Sequence, residues 1–131
     1  MTFLLDTQVW LWMLASSDRI RPDLLSELRD GRTRLLLSAA SAWEIAIKWA
    51  IGRLPLPEPP TTYVPSRMLR SGVSGLPVEH AHALRVATLP SHHRDPFDRL
   101  LIAQAQIESV PIVTGDPRFD EYDVPVIHAV V

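Results

Sequence analysis

The sequence predicts an α/β fold with a central, mainly parallel sheet of four to five strands. Short apolar runs alternate with segments in which apolar residues recur every three or four positions, as in successive strand and helix units. The runs are apolar at almost every position, which is typical of parallel strands covered by helices on both faces. The length of 131 residues fits one domain, and we expect it to span residues 1–131.

The first part of the chain predicts two strands and three helices. Apolar residues from Val9 to Leu14 share one helix face. Pro22 fits the first turn of the second helix, and Gly52 fits the end of the third. From the N-terminus, the expected elements are a strand at Thr2–Leu5, the helix through Val9–Leu14, a helix at Asp23–Asp30, a strand at Arg34–Leu37 and a helix at Ala39–Ile51.

The second part begins with a proline-rich segment. The prolines of Pro55–Pro60 exclude a helix there, so we expect a surface loop within the domain. Farther on, Pro77 introduces a helix and Pro90 ends it. The expected elements are a helix at Thr61–Ser71, a strand at Val73–Leu76, helices at Val78–Thr88 and Phe97–Ser109, and strands at Pro111–Thr114 and Val124–Ile127.

The composition excludes several classes of protein. The chain has no cysteine, which excludes a disulfide framework, a zinc ribbon and a cysteine nucleophile. The longest uncharged segment, Thr7–Ser17, is shorter than the roughly 18 to 20 residues of a membrane-spanning helix, and Asp6 does not suit a signal peptide. We therefore expect a cytoplasmic protein with no membrane contact. The formal charge of −2 argues against nonspecific coating of nucleic acid.

Four acidic residues that are distant in sequence are expected at one edge of the sheet. Parallel strands that lead into helices deliver their last residues to the carboxyl edge, where such folds bind ligands. Asp6 follows the first strand, and Asp116 follows the fourth. Glu44 lies in the first two turns of the helix after the second strand, and Asp98 begins the last helix. The topology thus allows the four carboxylates to converge.

Each acid also has a structural interpretation. Asp6, Asp95 and Asp116 can cap the elements that follow them, and Glu44 fits a capping box. Caps do not explain why Glu44 and Asp98 are flanked on both sides by apolar residues. Buried carboxylates cost several kcal/mol each unless their charge is compensated, and neighbouring ones also repel.

A divalent cation is the simplest compensation for such a cluster. Carboxylates without cysteine or paired histidines suit a hard cation, Mg²⁺ or Mn²⁺, which prefers oxygen ligands. A cation held in this way binds phosphate oxygens and activates water for in-line attack. The residues therefore favour hydrolysis of a phosphodiester.

Four sequence blocks together carry a family resemblance. They are FLLDTQVWLW, SAASAWEIAIK, HHRDPFDRLLIAQA and IVTGDPRF, in that order along essentially the whole chain, and DPFDRLLIAQA with the downstream TGD is the most specific signal. In this order and spacing they resemble a PIN domain of the VapC-type bacterial toxins. The resemblance places Asp6, Glu44, Asp98 and Asp116 on the acidic quartet of that family, with Asp95 as an additional acid.

The resemblance implies both a fold and a function. The fold is a three-layer α/β/α PIN-like domain, and the function is that of a Mg²⁺-dependent endoribonuclease directed at single-stranded RNA. The resemblance also implies a homodimer and a small cognate antitoxin, encoded beside the toxin, that blocks the site. The Pro55–Pro60 loop matches no motif, so its role stays open.

The four acids are expected to have different roles. Asp6 and Asp98 are the expected direct metal ligands. Glu44 and Asp116 either bind a second ion, hold a metal-bound water or act as the base, and the sequence does not separate these roles.

Four further residues are candidates for supporting roles. Thr7 and Thr114 can donate hydroxyl groups to the carboxylates or to the scissile phosphate, although threonine at such a junction is often a simple cap. Arg94 and Arg99 flank the acids, and the planar guanidinium group suits phosphate. Ion pairs with the neighbouring aspartates are the equal alternative for both arginines.

The histidines and tryptophans give weaker signals. His80 and His82 would point to different sides of a helix, so we expect them at the surface. His92 and His93 suggest a metal-free acid–base mechanism, but adjacent residues rarely converge on one phosphate. The four tryptophans are divided by the apolar pattern: Trp10 and Trp43 are expected in the core, and Trp12 or Trp49 at a dimer or antitoxin interface.

Other functions compete with the ribonuclease hypothesis. A haloacid-type phosphatase needs D-x-D after its first strand, and this chain has Asp6, Thr7 and Gln8 there. A receiver domain needs a late lysine, whereas the only lysine is Lys48. A PIN-like module that binds RNA or protein without cutting it also stays open, and a metal-dependent cleavage product would distinguish the two.

Overall fold

Five parallel strands form the centre of the fold. The structure is a computed structural model that describes residues 1–130. The strands lie in the order β3-β2-β1-β4-β5, and each neighbouring pair is parallel. Their bounds are β1 (Thr2–Leu5), β2 (Arg34–Ser38), β3 (Val73–Leu76), β4 (Ile112–Thr114) and β5 (Val126–His128). The predicted α/β class with a parallel sheet is confirmed.

Within residues 1–130, six helices accompany the sheet. They are α1 (Thr7–Ala15), α2 (Pro22–Leu28), α3 (Ala39–Ala50), α4 (Pro60–Ser71), α5 (His80–Arg85) and α6 (Pro96–Glu108), with 3₁₀ turns at Ser17–Arg19, Val86–Thr88 and Pro117–Glu121. Helix α5 is shorter than expected because Glu79 and His82 form a capping box at its start. Among residues 1–130, none of the helices has the length and hydropathy of a membrane span.

Alternate residues of the strands enter two separate cores. Phe3 and Leu5 of β1 pack with Trp10 of α1 on one face of the sheet. Leu4, between them, packs with Ile102 of α6 on the other face. Since successive strand residues point to opposite faces, an all-apolar strand needs helices on both sides. The expected three-layer α/β/α arrangement is therefore confirmed.

The order of the strands creates a crevice beside β1. From β1 the chain moves outward to β2 and β3, and it then returns to place β4 on the other side of β1. A reversal of this kind leaves an opening at the carboxyl ends of the two central strands. The backbone N–H of Asp6 donates to the carbonyl of Val113 at 2.9 Å, which holds the two strand ends side by side.

Two of the predicted side-chain positions are wrong. Trp10 is fully buried as expected, but Trp43 is 61% exposed because α3 turns the side of Glu44 and Ile45 inward. His82, expected at the surface, is buried. Its Nδ1 accepts from the backbone N–H of Glu79 at 3.0 Å, and its Nε2 lies 2.9 Å from Glu108 Oε2 on α6.

Gly115 is a position where the packing of the fold can be tested. A methyl group there would lie 2.8 Å from Cη2 and 2.9 Å from Cζ3 of the partly buried Trp12 ring. We expect Gly115→Ala to displace the ring and to lower the free energy of unfolding by about 1–3 kcal/mol, measured by urea denaturation. Gly31→Ala is the control, since its added methyl group has no atom within 4 Å. Equal losses in the two variants would contradict the explanation.

Candidate active site

A pocket of about 510 Å³ opens at the carboxyl edge of the sheet, in the crevice beside β1. It contains all four acids of the predicted quartet and the additional acid, which are Asp6, Glu44, Asp95, Asp98 and Asp116. They come from the end of β1, the middle of α3, the start of α6 and the turn after β4. The structure therefore brings together residues that are up to 110 positions apart in sequence.

Asp6 is placed by the end of β1. Its backbone caps α1, but its side chain makes no capping hydrogen bond. Instead, Oδ2 accepts from the Thr114 hydroxyl at 2.7 Å. The side chain is buried, and burial raises the pKa of the Asp6 carboxyl; the Thr114 hydrogen bond acts in the opposite direction. A cap at Asp6 is thus provided by the backbone alone, which leaves the carboxylate facing the pocket.

Glu44 lies on the buried face of α3. Its Oε2 accepts from Lys48 Nζ at 2.7 Å, while its Oε1 is buried without a hydrogen-bond partner among residues 1–130. The N-cap of α3 is Ser38, whose hydroxyl accepts from the backbone N–H of Ala40. Because capping is already satisfied by Ser38, the capping-box interpretation of Glu44 is wrong. A buried carboxylate oxygen without a partner is costly and indicates a missing cation or donor.

Asp95 and Asp98 divide two roles between them. Asp95 is the N-cap of α6, and its Oδ1 accepts from the backbone N–H of Phe97 at 2.9 Å. Asp98, one turn later, is only 13% exposed. Burial raises the pKa of Asp98 to about 8, and the neighbouring charges of Asp6, Asp95, Glu44 and Asp116 add to the effect. Of the two, Asp98 is therefore the residue whose negative charge requires a nearby positive charge to be stable in the folded protein.

Asp116 is the most solvated member of the quartet. It caps the 3₁₀ turn at Pro117–Glu121 by accepting from the backbone N–H of Arg118 at 2.9 Å. The Arg118 guanidinium also pairs with Asp116 at 2.7 Å, and this pairing lowers the pKa of the Asp116 carboxyl. Asp116 is therefore charged when Asp98 is not, which makes the two acids chemically distinct.

His93 lies beside the acids of the site, although the sequence suggested it only as half of a disfavoured acid–base pair with His92. Its buried ring places Nε2 at 2.8 Å from Asp98 Oδ2 and 3.4 Å from Asp116 Oδ2. His92, its neighbour, is exposed and stacks edge-on against Tyr122. The two histidines do not share one site, so their interpretation as an acid–base pair is not supported. The signal was the position of His93 two residues before the N-cap of α6.

The supporting residues differ in their placement. Thr114 holds Asp6, and the buried Thr7 donates from its hydroxyl to Ser41 at 2.7 Å. Arg94 is exposed and lies outside the pocket lining described for residues 1–130. The Arg99 guanidinium donates to backbone carbonyls such as that of Pro90 at 2.8 Å. The phosphate-binding interpretation of Arg99 is therefore replaced by a structural one.

Two basic residues that the sequence motifs did not suggest as phosphate-binding groups line the pocket. Lys48 and Arg53 stand on the wall formed by the end of α3 and the segment after it. The hydrogen bond from Lys48 to Glu44 raises the pKa of the lysine, so Lys48 remains charged at neutral pH. Positive charge at the rim of an acidic pocket can attract the phosphate groups of a polyanion.

The donor set fits a hard divalent cation. The pocket offers buried carboxylate oxygens, one of which, Glu44 Oε1, has no hydrogen-bond partner among residues 1–130. The mutual repulsion that raises the pKa of Asp98 is the effect that a bound cation removes. Carboxylate oxygens of this kind favour Mg²⁺ or Mn²⁺ over softer metals. The ligand atoms that lie within 4.8 Å of one another also include a nitrogen, since they belong to His93, Asp98 and Asp116.

The comparisons with known proteins place this chain in a family. Residues 3–125 match the family model of the PIN domain. The chain therefore belongs to the PIN domain family, and the family resemblance of the motifs is confirmed.

One curated relative is similar over part of the chain. A segment of 68 residues is 54% identical to Ribonuclease VapC16 of Mycobacterium tuberculosis (strain ATCC 25618 / H37Rv). This segment covers 49% of the chain and 48% of the relative, so the match spans about half the length of the curated relative.

Solved structures share the fold over nearly the whole chain. VapBC2 from Rickettsia felis, bound to a DNA fragment from its promoter, is similar with a TM-score of 0.75 and 12% identity over 98% of this chain and 99% of that one. A toxin–antitoxin complex from Klebsiella pneumoniae is similar with a TM-score of 0.64 and 15% identity over 95% and 94% of the two chains. At these identities the likeness concerns the fold.

The raised pKa of Asp98 predicts how stability depends on pH in metal-free protein. Below about pH 4 the carboxyl is protonated in both states; between about pH 4 and pH 8 only the folded state retains the proton. The contribution of Asp98 to stability therefore falls as pH rises across this window, by up to about 1.4 kcal/mol per pH unit. We expect Asp98→Asn to remove this fall, as measured by urea denaturation with a chelator present.

Asp116 provides a control for this measurement, because its pKa is lowered in the folded protein whereas that of Asp98 is raised. Because Arg118 lowers the pKa of Asp116, its contribution is present at neutral pH and is lost as pH falls through the lowered value. We expect Asp116→Asn to reduce the loss of stability in acid and to leave most of the fall between about pH 4 and pH 8 in place, because Asp116 is the smallest of the causes that raise the pKa of Asp98. Parallel stability curves for the wild type and Asp98→Asn would contradict the assignment.

Proposed function

We propose that the chain is a Mg²⁺-dependent endoribonuclease, the VapC-type toxin of a toxin–antitoxin pair, and that a single PIN domain carries the activity. The observation that carries this proposal is the convergence of Asp6, Glu44, Asp98 and Asp116 in one pocket with a buried, unpartnered Glu44 oxygen. The identity of 54% with a named ribonuclease over 68 residues supports the reaction class. Mn²⁺ satisfies the same ligand requirements.

We assign roles in the reaction to six charged residues of the pocket and to Thr114. Asp6, oriented by Thr114, and Asp98 at the start of α6 bind the cation. A cation held by these residues would stabilise charge on the scissile phosphate and lower the pKa of the attacking water. Glu44 and Asp116 orient that water or accept its proton. Lys48 and Arg53 attract the flanking phosphates of the RNA strand from the wall of the pocket.

The carboxylates of Asp6 and Asp98 can be tested with isosteric substitutions. We expect Asp6→Asn and Asp98→Asn each to lower the rate of RNA cleavage roughly a hundredfold or more, because the cation contributes several kcal/mol to the transition state. Growth inhibition on expression should disappear with cleavage. The exposed Asp18 gives the matched control, since Asp18→Asn makes the same chemical change outside the pocket.

The products of cleavage test the mechanism. Hydrolysis by a metal-activated water leaves a 5′-phosphate and a 3′-hydroxyl and stops when a chelator is added. A cyclic phosphate formed in the presence of chelator would contradict the proposal and would indicate a metal-free acid–base mechanism. The absence of any Mg²⁺-dependent product would indicate a binding module without catalysis.

We propose a small antitoxin as the protein partner and the cytoplasm as the place of action. The support is that the similar structures from Rickettsia felis and Klebsiella pneumoniae are toxin–antitoxin proteins. An antitoxin must cover or distort the acidic pocket to block it, and RNA is the substrate class that both the cation and the basic wall suit. The reading frame beside the gene is expected to encode this partner.

A homodimer is the second partner that we propose. Helix α3 and its C-cap residue expose an apolar stripe of residues four positions apart, namely Trp43, Ile47 and Ile51, with 61%, 37% and 60% of their surfaces accessible. Phe97 of α6 extends this stripe, because its ring packs edge-on against Trp43 at 5.3 Å between centroids. Large apolar side chains grouped at a surface are typical of interfaces. We propose that a second copy of the chain covers this stripe.

The stripe can be tested by introducing a charge at Trp43. We expect Trp43→Glu to convert the dimer to a monomer, as measured by sedimentation velocity, because burying the new carboxylate opposes association. The control is Leu69→Glu, which charges an apolar side chain on α4 that is 85% exposed and is not part of the stripe. A wild-type protein that is monomeric, or a Trp43→Glu variant that remains dimeric, would contradict this interface.

A further inference from the structure

His93 lies against the acidic pocket but has no role in the proposed function so far. We propose that His93 is a positioning residue, which donates its Nε2–H to the carboxylates of Asp98 and Asp116 and does not itself bind the cation. The proposal rests on the metal site of the proposed function and adds a group that holds its ligands in place. It concerns metal affinity more directly than the chemical step.

The hydrogen bond at the other ring nitrogen determines the tautomer of His93. The backbone N–H of Asp95 donates to His93 Nδ1 at 3.2 Å, so this nitrogen is an acceptor and carries no proton. A neutral imidazole then carries its proton on Nε2. That atom lies 2.8 Å from Asp98 Oδ2 and 3.4 Å from Asp116 Oδ2. Two carboxylate oxygens therefore lie within 3.4 Å of the nitrogen that carries the proton, although neither has the alignment of a regular hydrogen bond among residues 1–130.

The position of His93 Nε2, close to one oxygen of each carboxylate, allows it to interact with both Asp98 and Asp116. His93 Nε2 is buried, and neither short contact has the alignment of a regular hydrogen bond, among residues 1–130. An N–H that lies between two acceptors attracts both of them. It thereby draws together Asp98, which begins α6, and Asp116, which follows β4.

Metal ligation by His93 is the alternative that the tautomer argues against. The ligand atoms of His93, Asp98 and Asp116 lie within 4.8 Å of one another, close enough to surround one ion. Ligation through Nε2 would require the proton to move to Nδ1, where it would meet the N–H of Asp95 at 3.2 Å. An imidazole ligand would also favour Zn²⁺ over Mg²⁺.

The surrounding structure fixes the position of His93. Its ring packs edge-on against Phe119, with 6.0 Å between centroids, and its backbone N–H donates to the Tyr122 hydroxyl at 2.7 Å. Its backbone carbonyl accepts from Arg99 Nη1 at 3.3 Å. Tyr122 and Arg99 also contact each other, at 3.3 Å. The segment before α6 is therefore fixed through both the backbone N–H and the backbone carbonyl of His93.

Arg99 connects this segment to the acids through the sequence. Besides His93, its guanidinium donates to the carbonyls of Val86 at 3.2 Å, Leu89 at 3.4 Å and Pro90 at 2.8 Å. These bonds fix the chain from the end of α5 to the start of α6. Since Arg99 directly follows Asp98, the residue beside the metal ligand also anchors the loop that presents His93. Removal of a group that orients metal ligands in this way commonly lowers the metal affinity by roughly 10- to 100-fold.

Two substitutions separate the functions of the two ring nitrogens. His93→Gln can place an amide N–H near the position of Nε2, whereas His93→Asn can place an amide oxygen near Nδ1 but loses the donor to Asp98. The probe is Mn²⁺ alone, titrated calorimetrically, so that the readout does not depend on RNA cleavage. We expect His93→Asn to weaken Mn²⁺ binding by roughly 10- to 100-fold and His93→Gln to weaken it much less.

Two results of this titration would overturn the proposal. One is wild-type Mn²⁺ affinity in His93→Asn. The other is an equal loss of Mn²⁺ affinity in both variants together with the loss of a Zn²⁺ preference seen in the wild type, which would make His93 a ligand. Normal circular dichroism of the variants checks that both fold.

The tautomer can be measured without any variant. Long-range ¹H–¹⁵N correlation spectra of the metal-free wild type, at mildly alkaline pH, are expected to show His93 protonated at Nε2 only. A proton on Nδ1 would overturn the proposal. RNA cleavage is assayed separately: a protein that shows the expected tautomer and Mn²⁺ pattern but cuts no RNA contradicts the proposed function and leaves the role of His93 intact.

Discussion

The structure depends on the cost of holding several carboxylates together at the edge of a buried sheet. Asp6 and Glu44 are almost fully enclosed, and their charges add to the burial that raises the pKa of Asp98 to about 8. Such an arrangement opposes folding in the absence of compensation. Clusters of this kind, which lower the free energy of unfolding, are typical of functional sites. Binding of a ligand to the folded state then raises the free energy of unfolding again.

The fold answers this cost by giving each carboxylate one neighbouring donor. The pairs are Asp6 with Thr114, Glu44 with Lys48, Asp98 with His93 and Asp116 with Arg118. Lys48 leaves the other oxygen of its partner, Glu44 Oε1, buried without a hydrogen-bond partner among residues 1–130. Arg118, in contrast, donates to both oxygens of Asp116. The neutral hydroxyl of Thr114 therefore orients Asp6 without removing its charge, whereas Lys48 and Arg118 compensate the charges of Glu44 and Asp116. Fixed orientation of the ligands is a condition for binding a cation in a defined position.

The sequence allowed the sheet and the acidic quartet to be predicted because both depend on local pattern. Apolar runs mark strands buried on two faces, and parallel strands bring their last residues to one edge. The roles of Trp43, His82, His93 and Arg99 depend on which helix faces which neighbour. Arg99 shows the limit clearly: its place beside Asp98 suggests phosphate binding, but carbonyls brought near by the fold take up its donors. Long-range contacts of this kind leave no periodic signal in the sequence.

The central claim is that the acidic pocket holds a divalent cation through its carboxylates. The most direct measurement is an anomalous difference map from crystals of the protein soaked in Mn²⁺. We expect a peak in the pocket that is bound by Asp6 and Asp98, with His93 Nε2 beside the Asp98 carboxylate and not bound to the metal. A map with no peak in this pocket, or a peak bound by His93 Nε2, would contradict this expectation.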